Sequence, residues 1–296
     1  MQIPVVLAEH LQLLVIAVLV AVFALLIAWR VGFFRMPQHS PVGVPKIGFI
    51  DVLGGFLVYL GAQLFSVPIL WFSYILISKI RLPIETDLNF DTTGQGWLNV
   101  FALIVASICL LLYAKLIDKK VLDQFWTGRK IGLWYRVKDF LIGVMSWLVT
   151  YPVVLVAGQI IAIIILIEYK GQHIDQVAVR QLKSAEESPL LFLVTAGLIT
   201  TLIPAMEELL FRGLLQTWLR AKIGSFYAVI STAFIFALFH FSSSQGMANV
   251  ELITSLFALG CFLGYLFERQ RCLLASIGLH ATFNAVSIMM ILMSGE

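Results

Sequence analysis

IPAMEELLFRGLLQTWL, residues 203–219, sets two adjacent carboxylates, Glu207 and Glu208, and one guanidinium, Arg212, in a stretch otherwise fit for hydrocarbon. Ionisable groups at membrane depth are costly, and they face a protein interior or a water-filled cavity rather than lipid. In a helix Glu208 and Arg212 stand four residues apart and can pair on one face. Glu207 is turned by about 100° from Glu208 and has no such local partner. The two acids therefore need not share a role. A buried Glu–Arg clasp that locks helices together accounts for Glu208 and Arg212, and leaves Glu207 without an architectural reason to be there. Pro204, just upstream, lacks a backbone donor and crowds the preceding turn, which predicts a break or kink before the carboxylates.

The surrounding composition agrees with a membrane interior. Of 296 residues 60% are hydrophobic and 12% charged, against about 25% charged in a soluble domain. The expected fold class is all-α, a polytopic membrane protein of about eight transmembrane helices. The apolar runs cover Leu11–Trp29, Phe49–Ser78, Gly96–Tyr113, Phe140–Ile167, Pro189–Arg220 taken as one bent helix, Ser225–Phe241, Val250–Phe267 and Leu273–Met293. The first run lacks the positive flank of a signal peptide and reads as a retained helix. A short interfacial helix is expected within residues 115–138 and an amphipathic surface helix over Glu168–Ser188. The chain divides into N-terminal membrane helices, residues 1–188, and a core carrying the chemistry, residues 189–296. Cys109, Cys261 and Cys272 form no C-x-x-C pair and read as small buried apolar residues. No basic cluster with interleaved aromatics suggests nucleic acid.

Loop charges orient the chain. Residues 115–138 alone hold seven Lys and Arg, and with the N-terminus outside the cytoplasmic loops hold fourteen against five on the opposite side. Positive residues accumulate on the cytoplasmic side, so both termini are expected outside.

Two further polar groupings interrupt the last spans: His240, ending Phe236-Ala-Leu-Phe-His240, and the pair His280 and Asn284 in His280-Ala-Thr-Phe-Asn284. Taken singly, each has a plain reading as a satisfied core residue or a structural hydrogen-bonded pair. Depth argues otherwise. At about 1.5 Å per residue from the cytoplasmic flanks, Glu207 lies about 20 Å deep, His240 about 24 Å, and His280 and Asn284 about 14 and 20 Å. An acid, two imidazoles and a carboxamide therefore converge on one layer. A carboxylate among apolar side chains suits a general base, and a carboxamide and an imidazole can donate to an oxyanion. The inventory fits peptide-bond hydrolysis without a Ser or Cys nucleophile. Glu207, His240 and His280 could instead hold zinc with a bound water, although no H-E-x-x-H is present.

E-E-L-L-F-R at 207–212, F-A-L-F-H at 236–240 and H-A-T-F-N at 280–284 resemble the three ordered motifs of the CPBP intramembrane protease family, which includes type II CAAX prenyl endopeptidases and bacterial Abi proteins. The resemblance covers about Pro189 to Met293. It implies that Glu207 activates water with help from His240, that His280 and Asn284 form the oxyanion site, and that Glu208 and Arg212 support the geometry. It implies no cofactor, with zinc as the alternative, and a peptide or lipidated-protein substrate met in membrane lipid, in the plasma membrane of a prokaryote. The site is expected in a polar cavity among the last four spans, reached from the cytoplasmic side. The rival classes are a non-enzymatic membrane scaffold or bacteriocin-immunity protein and, more remotely, a proton-coupled transporter, for which the half-repeat symmetry of many transporters is missing.

Overall fold

The computed structural model describes residues 3–36, 45–81, 92–125, 132–169 and 188–294, which are helical almost throughout and contain no strand. The helices are α1 (Ile3–Arg30), α2 (Phe49–Arg81), α3 (Thr92–Ile117), α4 (Lys119–Asp123), α5 (Leu133–Tyr169), α6 (Pro189–Thr200), α7 (Leu202–Glu208), α8 (Thr217–Leu238), α9 (Ala248–Gln270) and α10 (Leu273–Ser294). A π-helical segment, Leu209–Gln216, joins α7 to α8. Hydrocarbon leaves the backbone no external hydrogen-bond partner, so apolar runs of this length close their bonds internally as helices.

Among the described residues seven segments are long and apolar enough to cross a membrane. One of them, Pro189–Leu238, has 50 residues. As a straight rod it would be about 75 Å long, more than twice the ~30 Å hydrocarbon thickness. It is broken instead. Gly224 adopts φ 79°, ψ 165°, a conformation that a side chain makes unfavourable. Divided there, the run makes two passes, which brings the total to the eight expected from sequence. A second break falls at Thr201 (φ −126°, ψ −68°). It lies three residues before Pro204, because the missing N–H and the ring of a proline disturb the turn that precedes it.

Two expectations concern loops. The interfacial helix within 115–138 is present as the five-residue α4, and 126–131 lie outside the described residues. The surface helix expected over Glu168–Ser188 falls almost wholly on residues 170–187, also outside the described residues.

The π-helical segment forms the centre of the molecule. All eight of its residues are buried, whereas Leu19, Phe23, Leu57, Phe65, Ile108 and Leu148 on other helices are exposed, as lipid-facing side chains are. Phe211 packs edge-on against Phe56 of α2 and Phe236 of α8. Around this axis α10 packs on α5, α2 on α3, α1 on α5, and α9 on both α8 and α5.

Candidate active site

Arg212 and Gln216 stand one turn apart on the π-helical segment, and α9 supplies a carbonyl to each. Arg212 Nη2 donates to Gly260 O at 3.2 Å, and Gln216 Nε2 donates to Gly264 O at 3.0 Å. The acceptors form a G-x-x-x-G pair, whose small residues let helix backbones approach closely. A Cβ at Gly264 would lie 2.7 Å from Gln216 Oε1, and one at Gly260 would lie 3.0 Å from the Ala233 backbone. From the other side, Gln124 Nε2 donates to Gly213 O at 3.2 Å, while Thr217 Oγ1 lies 3.0 Å from Arg212 O and 3.3 Å from Gln124 Oε1. Short π-helical stretches are rare and cluster at functional sites. This one is held on two sides by side-chain amides.

So positioned, Arg212 Nη1 donates to Glu208 Oε1 at 2.8 Å, with both side chains wholly buried. The guanidinium also lies 4.7 Å from the centre of the Phe236 ring. From α10, His280 Nδ1 donates to the same Glu208 oxygen at 2.9 Å. A carboxylate only accepts, so the hydrogen sits on Nδ1. The other ring nitrogen, Nε2, then faces Glu207 Oε2 at 3.6 Å. That separation is too long for a direct hydrogen bond and too short for a water to lie between the atoms, but one water beside them can touch both. The two acids differ in access: the Glu207 side chain is 19% exposed and that of Glu208 0%.

Glu207, Glu208, Arg212 and His280 thus form one cluster. His240 adjoins it through Phe236, whose ring centre lies 4.9 Å from the His240 ring and 5.7 Å from the His280 ring. The direct partner of His240 Nδ1 is Phe236 O at 2.9 Å. Asn284 is tied to α6, its Nδ2 donating to Ile199 O at 2.9 Å. Glu207 lies 3.6 Å from His280 Nε2, and His240 meets the cluster through the Phe236 ring. Glu207, His240 and His280 do not come together as a ligand set: among the described residues no three His, Cys, Asp or Glu side chains form a group able to hold a metal ion.

Residues outside the three motifs also reach the site. Tyr59 of α2 is buried, its hydroxyl is partnered by Gln63, and it lies within the electrostatic reach of Glu207. Gln124 and Gln216 pin the π-helical segment. Each is a polar group in an apolar setting, a signal that the sequence carries but that does not say which helix it meets.

Fold and site together define a helical membrane protein built around a buried Glu–Arg–His cluster. Residues 188–286, about a third of the chain, match the family described as type II CAAX prenyl endopeptidase Rce1-like. The family is one of proteases, in agreement with the motif resemblance. No curated protein and no solved structure matches the chain.

Proposed function

We propose that the protein is an intramembrane endopeptidase in which Glu207 activates water. The observation that carries this reading is the position of His280 between the two carboxylates. Glu208, fully buried and paired with Arg212, fixes the ring through Nδ1. Glu207, the partly exposed acid, faces Nε2 at 3.6 Å, so that one water beside the two atoms can touch both.

In the reaction, Glu207 takes a proton from water and the hydroxide oxygen bonds to the scissile carbonyl carbon. The carbonyl oxygen becomes an oxyanion, which accepts hydrogen bonds from the second Nδ2 hydrogen of Asn284, the first being held by Ile199 O, and from Nε2 of His280 in its doubly protonated form, a ring that keeps both of its hydrogens throughout the cycle. The C–N bond then breaks and Glu207 passes its proton to the leaving amine. His240, with Nδ1 donating to Phe236 O, keeps Nε2 as an acceptor in the neutral ring and helps to hold the water. Each water proton is accounted for without a covalent enzyme intermediate. The scheme uses no metal. The substrate is a peptide chain met in or at the lipid bilayer, and both termini of the protein lie on the non-cytoplasmic side.

Cleavage of a membrane-peptide library by the purified full chain tests this. The wild type should cleave. Glu207→Gln should lose at least about 10²-fold in kcat, the lower range of general-base contributions, while accumulating normally in the membrane. Full activity in that variant overturns the mechanism, and no cleavage by the wild type favours the scaffold reading.

A further inference from the structure

α2 packs along the segment that carries the two acids, and its contacts fix the register. A Cβ at Gly55 would lie 2.6 Å from Leu214 and 3.6 Å from Leu210. The Phe56 ring meets that of Phe211 with 5.2 Å between centres. Two turns further along α2, Gln63 lines a cavity of about 680 Å³ together with Ile199 and Ile203. The two stretches therefore pass each other in opposite directions, residues 55–56 beside 210–214 and residue 63 beside 199–203. Gly55, Tyr59 and Gln63 follow one another at four-residue steps, on one face of α2. Tyr59 is one turn from each of these two contacts, and Glu207 is one turn from both Ile203 and Leu210. The register brings the phenol level with the carboxylate.

The chemistry at that level is specific. Tyr59 is 6% exposed. Gln63 partners its hydroxyl, and the ring lies in the field of the Glu207 carboxylate. A phenol has one hydrogen to donate, and a carboxylate only accepts. The favourable arrangement directs the phenol hydrogen at Glu207, directly or through one water. The carboxamide of Gln63 can donate to the phenol oxygen at the same time, and bonds in such a chain strengthen one another. A phenylalanine would fill the same core space, and a buried hydroxyl is costly unless it is bonded. On the other side of Glu207, Oε2 faces His280 Nε2 at 3.6 Å. A general base works only when it is held within reach of the proton it takes.

We propose that Tyr59 is a positioning residue for the water-activating acid: its hydroxyl donates toward the Glu207 carboxylate and holds it from the α2 side, opposite His280. Tyr59 keeps its own hydrogen throughout, so the proton balance of the reaction is unchanged. The proposal rests on the peptidase reading for what Glu207 does, but not for the contact itself. The expectation of a site among the last four spans alone is thereby widened to include α2.

The test uses the full chain in lipid nanodiscs and a peptide that the wild type cleaves. Tyr59→Phe keeps the ring in the core and removes only the hydroxyl. Its kcat should fall about tenfold, the effect of one lost hydrogen bond, with KM within about twofold. In a Glu207→Gln background the same change should cost less than about twofold, because the group that it positions is already gone. Unchanged kcat in Tyr59→Phe overturns the proposal. An equal loss in the Glu207→Gln background overturns it as well, since Tyr59 would then act on the substrate itself. A raised KM with kcat intact overturns it in favour of a binding role. A second measurement needs no cleavage and no Tyr59→Phe protein. With a fluorotyrosine at position 59, the fluorine resonance should move on Glu207→Gln and stay in place on Glu9→Gln, at an exposed site of α1. No movement on Glu207→Gln overturns the contact. Movement in a chain that cleaves nothing leaves the contact standing and removes the hydrolytic reading.

Discussion

Glu208 and Arg212 share a hydrogen bond of 2.8 Å with neither side chain reaching solvent, and His280 uses the same Glu208 oxygen. The pair is thus both a structural clasp and the anchor of a reactive ring. Removing one member of a buried pair leaves an uncompensated charge, at a cost of about 3–5 kcal/mol. Arg212→Leu should therefore lower the thermal unfolding temperature sharply. Glu208→Leu/Arg212→Leu should recover much of that loss yet stay inactive, because His280 Nδ1 has lost its acceptor. Thermal scans in detergent beside a cleavage assay separate the two effects.

Asn284 is expected to act on the transition state. Loss of one oxyanion donor costs about 10²–10³-fold in kcat. Asn284→Ala should fall in that range with KM little changed, and steady-state kinetics will show the split. A rise in KM with kcat intact would make Asn284 only the tether of α6.

The approach of α9 to the π-helical segment depends on small residues. Gly264→Ala introduces a Cβ 2.7 Å from Gln216 Oε1, an overpacking that should cost about 1–3 kcal/mol. Gln216→Ala removes the obstacle, so the double variant should lose less than the two single losses added together. A double-mutant cycle on unfolding temperatures measures this coupling.

Metal removal should leave activity unchanged. Treatment of the active protein with a zinc chelator, followed by metal analysis and assay, checks this. Stoichiometric zinc with activity lost on chelation and restored by zinc would require a ligand set that the described side chains do not form.

Orientation has its own measurement. With the termini outside, a membrane-impermeant maleimide added to intact cells should label Gln95→Cys and not Lys120→Cys. Native Cys272 will not compete: burial pushes its thiol up to about 12, and it donates to Phe125 O. The reverse labelling pattern would invert the topology.

Much of this arrangement is legible along the chain. The spacing of Glu208 and Arg212 foretells their pairing, and counting residues from the loops brings His280 to the depth of the acids. Which imidazole nitrogen meets which carboxylate is not legible, because it depends on how α10 is rotated against α7. The depth estimate likewise puts His240 in the right layer while missing that its nearest partner is the carbonyl of Phe236. Tyr59 and Gln63 escape notice for a different reason. Their meeting with residues 199–207 is a tertiary event between distant parts of the chain, and in sequence they are only polar interruptions in an apolar helix. The helix break is foretold by Pro204, but its place at Thr201 follows from the turn that the proline disturbs.

Gly224 gives the chain its reversal. Glu207 and His240 are thirty-three residues apart, so an unbroken helix would hold them about 50 Å from one another, beyond opposite faces of the hydrocarbon layer. One backbone hinge folds that distance back on itself. Two residues that a rigid rod would assign to separate aqueous worlds are brought back to one cluster, His240 against the Phe236 ring and Glu207 facing His280, which packs on the same ring.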